Sequence, residues 1–273
     1  MKIRLSTLKG LVMVLLFSGC VASGGRVSSL FFSVQDDKKL GKQVSEEIES
    51  KPGEYPVLPK SKYPQAYKYL ESMRDRILNS GQVTYKDDFD WELKIIQDDE
   101  VLNAFATPGG YIYVYTGLIK YLEEADDLAG VMGHEIAHAD RRHSIKQLEK
   151  QYGISLLLSI ALGENAGQLS QVVGQLAGTG AILAFSRSAE AEADDYSVQY
   201  LSQTTYACNG AASFFKKLQE EGSGGRTPEF LSTHPSPSNR VEDINSKARR
   251  LGCSTSLSKE TGMTYAEFKK SLP

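Results

Sequence analysis

Five consecutive residues, His134-Glu135-Ile136-Ala137-His138, constrain this chain more than any other stretch. Residues four apart on an α-helix return to nearly the same face, so the two imidazoles can point at one metal ion. Glu135 then sits beside the ligands, where a carboxylate can take a proton from an attacking water and pass it to a leaving amine. The flanks favour a helix. Asp126 and Asp127 precede Leu128, Ala129, Val131 and Met132, and acidic residues at a helix start complement its dipole. Arg141 and Arg142 fall near the expected end, where positive charge is favoured. His143 lies too far round the helix from His138 to share its metal, and is expected to cap or pack.

A catalytic zinc ion takes three protein ligands and leaves one position for water. The alanine-rich segment 186–195 offers several carboxylates in a helix-forming context, and Glu190 is the expected third ligand. Asp194, one turn later, is placed to accept a hydrogen bond from the second nitrogen of a ligating histidine and so fix its tautomer. Glu192 and Asp195 read as a solvated acidic face. A purely structural zinc module is disfavoured, because no fourth thiolate or imidazole is expected near the site.

Three stretches together carry a resemblance: His134-Glu135-x-x-His138, then Ser186-Arg187-x-x-Glu190-x-x-Ala193-Asp194, with Asn103-Ala104-Phe105-Ala106-Thr107-Pro108-Gly109-Gly110 upstream. The chain resembles peptidase family 48 of the zinc metalloendopeptidases, and within it the periplasmic lipoproteins of outer-membrane quality control. The resemblance implies one Zn2+ per subunit on His134, His138 and Glu190, with Asp194 in support and Glu135 as the catalytic acid and base. It implies unfolded or extended polypeptide substrates from misfolded or misassembled envelope proteins, and outer-membrane assembly machinery as a partner. Asn103, Ala104, Phe105 and Ala106 resemble the strand that pairs with a substrate backbone by β-augmentation; the alternative is a buried hairpin under the metal helix. Thr233-His234-Pro235 through Arg240 resembles the family's late His-Pro segment. His234 then lies across the cleft, where it either donates to the reaction oxyanion or occupies the open zinc position, unless it only caps the helix begun at Ser236. Arg240 supports that loop or a substrate carboxylate.

The amino terminus reads as a targeting segment. Lys2, Arg4 and Lys9 precede an apolar run at 11–17 that is too short to span a bilayer, and Phe17-Ser18-Gly19-Cys20 follows. This resembles a bacterial lipoprotein signal with Cys20 as the lipidated residue; the alternative is an ordinary signal cut near the same point. Val21 stands where lipoproteins kept in the inner membrane carry Asp, so the resemblance implies an outer-membrane anchor facing the periplasm. The expected organisation is a signal at 1–19, a tether at 20–35, a peptidase domain at 36–250 and a short appendix at 251–273. Removing the three leader charges takes the formal net charge from −3 to −6, which excludes a nucleic-acid partner. With Cys20 acylated, Cys208 and Cys253 remain as a pair in an oxidising compartment, expected as a disulfide, with two buried thiols as the alternative.

The rest reads as α+β, mostly helical, with a small β-hairpin or sheet packed beside the metal helix in the gluzincin manner. Helices are expected over 36–50 and 64–78. A half-buried strand runs through Trp91, Leu93 and Ile95. Strands at 103–107 and 111–117 flank the turn Pro108-Gly109-Gly110. Residues 153–185 carry one charge, Glu164, and read as two buried helices and not as a membrane span. A helix at 211–220, a mobile loop Gly222-Ser223-Gly224-Gly225 and a helix from Ser236 to about Arg249 complete the chain. The competing class is a non-catalytic metal-binding chaperone or assembly lipoprotein on the same fold. A degenerate motif would favour it, but Glu135 and all three ligands are present.

Overall fold

Tyrosines alternate with branched aliphatics through Tyr111–Tyr115, and this strand is the middle of a three-stranded mixed sheet. The computed structural model describes residues 32–178, 184–221, 229–235 and 239–273. The leader with Cys20, the loop Gly222-Ser223-Gly224-Gly225 and the proposed helix start at Ser236 lie outside the described residues. The strands are β1 (Leu93–Ile96), β2 (Ala104–Thr107) and β3 (Tyr111–Tyr115), in the order β1-β3-β2. β1 runs parallel to β3 with Ile95 opposite Val114, and β2 runs antiparallel with Phe105 opposite Tyr113.

The helices in chain order are α1 (Val34–Glu49), α2 (Pro64–Leu78), α3 (Thr116–Tyr121), α4 (Ala125–Asp140), α5 (His143–Tyr152) and α6 (Ile154–Ala161). They continue with α7 (Ala166–Ala177), α8 (Arg187–Leu201), α9 (Gly210–Glu221), α10 (Glu229–Thr233), α11 (Arg240–Leu251) and α12 (Tyr265–Lys270).

A period of two sends alternate side chains to opposite faces of the sheet, and here both faces are buried. Leu93, Ile95, Ala104, Ala106, Ile112 and Val114 join a core with α2, α4, α8 and α9. Ile96, Phe105, Tyr111, Tyr113 and Tyr115 join a second core with α1, α5, α6 and α7. The small residues of β2 thus face α4, which allows the metal helix to lie close to the strand.

Several boundaries differ from the sequence reading for local reasons. Trp91 falls outside β1, with φ 45. The second hairpin strand stops at Tyr115 because α3 begins at Thr116. The turn between β2 and β3 is a single 3-10 turn in which Gly109 has φ 76 and Gly110 φ 89, a region that favours glycine. The last stretch, where no motif was legible, forms α12 through a capping box of Thr264 and Glu267. Its buried Phe268 stacks on Tyr69 of α2 at 4.4 Å. The low-charge stretch gives α6 and α7, and among the described residues no helix is long and apolar enough to cross a membrane.

Contacts with α8, α9 and β2 fix the position of α4. Asp127 and Glu124 form a capping box at its start. Asp126 accepts from the Ala207 amide at 2.6 Å and from the Ser258 hydroxyl at 2.8 Å, so it ties α4 to the carboxyl-terminal part of the chain. At the other end Arg142, expected to serve the helix dipole, instead turns the chain at φ 56 and buries its guanidinium against Asp37 of α1 at 2.6 and 2.9 Å. Cys208 and Cys253 are joined as a disulfide with a Cα–Cα distance of 6.2 Å, linking the segment before α9 to the end of α11.

Candidate metal centre

His134 and His138 project from α4 with their Nε2 atoms 2.9 Å apart. Glu190, in the first turn of α8, brings Oε2 to 3.5 Å from His134 Nε2 and Oε1 to 3.3 Å from His138 Nε2. The close approach of α8 to α4 that this needs is made at Gly133 and Ser197, whose hydroxyl donates to the Gly130 carbonyl at 2.9 Å. A fourth group joins them. His234 Nδ1 lies 3.0 Å from Glu190 Oε1 and 3.4 Å from His134 Nε2. One ligand atom from each of the four lies within 4.8 Å of the others, and all four residues are buried.

This overturns the expectation that no fourth imidazole stands near the site. His234 is a hundred residues from His134 in the chain, and only the seating of α10 beside α4 brings it in. Phe230 of α10 stacks on the His234 ring at 4.3 Å, packs edge-on against Phe214 at 5.1 Å, and donates its amide to the Leu102 carbonyl at 3.1 Å. The donor set suits zinc: imidazole nitrogens and a carboxylate oxygen converge on one point, and two facing Nε2 atoms cannot both serve as acceptors of each other. Three of these donors are the expected ligands, and the fourth is the residue expected across the cleft.

Support from behind is ordered. Asp194 Oδ1 accepts from His134 Nδ1 at 2.9 Å, and its carboxylate is clamped by Arg240 at 2.6 and 2.8 Å. Arg240, buried, also brings Nη2 to 2.9 Å from Glu190 Oε2 and lies over the Phe215 ring at 3.7 Å. His138 has a different neighbour. His143 Nδ1 faces His138 Nδ1 at 3.1 Å, and His143 Nε2 lies 3.3 Å from Glu192 Oε2. Glu192 was read as a solvated residue, but Arg141 donates to it at 2.8 Å, so it belongs to the site's surroundings. Nothing in the sequence signalled Phe185 either, whose ring covers His138 at 4.0 Å.

Electrostatics follow from this crowding. Burial and the charge of Arg240 work against protonation of His134, yet hydrogen bonds to Asp194 and Glu190 push its pKa up to about 9. His138 is driven well below the ordinary value by burial and by its neighbour His134. Burial takes His143 down to about 4. Burial opposes ionisation of Glu190, but His234, His134 and His138 hold its carboxyl well below the usual range. Glu135 is raised by burial, and its Oε1 has no hydrogen-bond partner among the described residues. His234 Nε2 stands 3.6 Å from that oxygen.

β2 is the sheet's edge strand on the side of α4. The Tyr115 amide donates to the Asn103 carbonyl, so alternation turns the backbone groups of Ala104 and Ala106 outward, and the Ala106 amide lowers the Glu135 pKa by hydrogen bonding. Asn103 donates its side-chain amide to the Ala177 carbonyl at 3.3 Å, while Phe105 stacks on Tyr113 at 4.6 Å. The Phe230 amide takes up the Leu102 carbonyl just before this edge.

The family description "Peptidase family M48" matches residues 64–248, more than half of the chain. Over 215 residues the chain is 32% identical to mitochondrial metalloendopeptidase OMA1 of Schizosaccharomyces pombe, covering 78% of this chain and 61% of that protein. It is 29% identical over 198 residues to the beta-barrel assembly-enhancing protease of Escherichia coli K12, covering 69% of this chain and 40% of that one. It is also 29% identical over 217 residues to metalloprotease YcaL of the same organism, covering 78% and 80%. The chain thus spans less than two thirds of each of the first two relatives. The matched span holds α4, α8 and His234, which together supply the four-residue cluster, and on both counts the chain belongs to peptidase family M48.

Proposed function

We propose that the chain is a zinc endopeptidase that hydrolyses peptide bonds of misfolded or misassembled cell-envelope proteins. The observation that carries the chemistry is Glu135: a buried carboxylate with one oxygen free, adjacent to four converging donors and beneath an outward-turned strand edge. His134, His138 and Glu190 would hold the ion, one per subunit. Zinc bound there would polarise the scissile carbonyl and the attacking water. Glu135 takes the proton from that water and returns it to the leaving amine, and its burial keeps the proton affinity high enough for the task. The Ala104 backbone and the Ala106 carbonyl offer groups that an extended peptide can pair with, while the Ala106 amide is held by Glu135, and such pairing requires no particular side chain and suits unfolded substrates.

His234 gives this site a latent state. A catalytic zinc site keeps one position for water, and a fourth donor in that place resembles the closed set of structural sites. His234 and α10 therefore hold the site shut until a substrate or partner displaces them. A non-catalytic metal-binding chaperone or assembly lipoprotein on the same fold is the second reading, favoured by that same four-donor set, but it leaves Glu135 without a role.

The envelope assignment rests on the name of one relative, a beta-barrel assembly-enhancing protease, and on the lipoprotein-like leader at 1–19 that precedes Cys20. It makes the outer membrane, reached through a lipid on Cys20, the expected location, and the assembly machinery a partner. The test of the chemistry is Glu135→Gln, which should retain zinc by elemental analysis and lose hydrolysis of casein or an unfolded peptide. Wild-type turnover in that variant would remove the mechanism.

A further inference from the structure

The chain has four histidines, and they form one connected set. Three sit in the cluster, and the fourth, His143, meets that cluster through the back of His138. This fourth contact has a direction that hydrogen-bond chemistry dictates. His138 turns Nε2 toward the cluster, so its proton resides on Nδ1. His143 Nδ1, 3.1 Å away, must then accept, which leaves the His143 proton on Nε2. There, 3.3 Å off, Glu192 Oε2 accepts it. Glu192 Oε1 accepts from Arg141 Nε at 2.8 Å, and the Arg141 guanidinium rests over the Tyr196 ring at 4.4 Å. Every donor in the series meets an acceptor.

The other ligating histidine has a shorter version of the same series, since His134 donates directly to Asp194 and Asp194 is clamped by Arg240. Both carboxylates come from α8, two positions apart and just after Glu190. One helix thus carries a ligand and both groups that orient the other two. On the His138 side the carboxylate does not reach the ligand, and His143 fills the gap. Its place is set by Arg142, whose left-handed backbone turns the chain between α4 and α5 so that the first side chain of α5 folds back onto the metal helix.

We propose that His143 and Glu192 are positioning residues for the metal ligand His138, fixing its tautomer and ring plane through a series anchored at Arg141. The proposal rests on the reading that the cluster binds zinc, but it does not depend on what the enzyme cleaves or whether it cleaves at all.

The test is zinc affinity of the full-length protein, measured by competition with a chromophoric chelator, together with the visible spectrum of the cobalt(II)-substituted protein. His143→Ala should weaken zinc binding by roughly 10- to 100-fold and shift the cobalt bands, as loss of a group behind a ligating histidine does. His143→Asn keeps an acceptor facing His138 Nδ1 and should recover most of that affinity and the parent spectrum. Glu192→Ala, at a half-exposed position where folding is not at risk, should show a smaller loss in the same direction. Wild-type affinity and spectrum in His143→Ala would overturn the proposal. So would equal losses in His143→Ala and His143→Asn, which would mark His143 as packing alone. Wild-type affinity in Glu192→Ala would remove the outer half of the series. A wild-type chain that binds no zinc would overturn the metal reading itself, whereas residual hydrolysis in Glu135→Gln would overturn only the chemistry.

Discussion

His234 Nδ1 stands 3.0 Å from Glu190 Oε1, although one residue follows the end of α10, the other lies on α8, and they are 44 positions apart. This contact separates two roles that the sequence left open. A histidine that donates to a reaction oxyanion belongs over the substrate carbonyl, whereas one that shares a ligand's carboxylate belongs in the coordination position itself. Its neighbours favour the second. His234→Ala should therefore raise basal peptide hydrolysis by roughly tenfold or more, since each tenfold corresponds to about 1.4 kcal/mol of closure removed. Turnover of a quenched fluorescent peptide measures it. A fall in turnover would return His234 to oxyanion stabilisation, and loss of the folded state with loss of zinc would favour the structural-metal reading.

Asp194 carries the orientation of His134 in one step, so its charge should matter more than its shape. Asp194→Asn keeps an oxygen for His134 Nδ1 but removes the charge that, with Glu190, holds the imidazole proton affinity high. It also leaves buried Arg240 with one carboxylate fewer. Zinc affinity in this variant should fall by roughly tenfold, the lower end of what such supporting groups contribute. Chelator competition reads the change, and unchanged affinity would show that geometry alone suffices.

Asp37 makes a pH signature. It is 1% exposed and pairs with Arg142, yet burial outweighs that pairing and raises its pKa to about 6 from 3.8. A carboxyl whose folded value is raised binds its proton more tightly in the native state, so its contribution is fully present below the unfolded pKa and is lost as pH rises through 6. The shift corresponds to about 3 kcal/mol across that window. Urea unfolding at pH 4.5 and pH 7 should show wild type losing ground relative to Asp37→Asn as pH rises. An equal difference at both pH values would mean that the ion pair compensates burial in full.

Much of the site was legible because it is local. Four-residue spacing on α4 fixes His134 and His138 on one face whatever surrounds them, and the same periodicity relates Glu190 to Asp194. The alternation through Tyr111–Tyr115 marked a strand, though it could not tell that the tyrosine face is buried as deeply as the aliphatic one, because that depends on α1, α6 and α7 closing over it. The contacts of His143 and Glu192 with each other were not legible for a related reason. These contacts depend on a left-handed turn at Arg142 and on the crossing of α4 with α8, and neither leaves a periodic trace. Arg142 itself looked like a dipole charge until Asp37, more than a hundred residues away, supplied its partner.

The last prediction concerns how closely α4 and α9 must approach. A methyl group on Gly130 would lie 2.0 Å from the Ala211 amide nitrogen and 2.5 Å from the Gly210 carbonyl carbon, and one on Gly210 would lie 2.0 Å from the Asp126 carbonyl oxygen. The obstructing atoms are backbone, so no side-chain rotation can relieve the overlap, and the helices must part. α9 carries Phe215, over which Arg240 rests, and α4 carries both histidine ligands, so parting them disturbs the centre as well as the core. Gly130→Ala should cost about 3 kcal/mol of stability, the upper part of the range for overpacking, and should weaken zinc binding at the same time. Gly53 provides the contrast, because a methyl group there meets nothing within 4 Å and its φ is not positive. Gly53→Ala should be neutral or stabilising by up to about 1 kcal/mol, through the unfolded chain alone. Equal unfolding midpoints for the two variants in urea would mean that α4 and α9 are not packed this closely in solution.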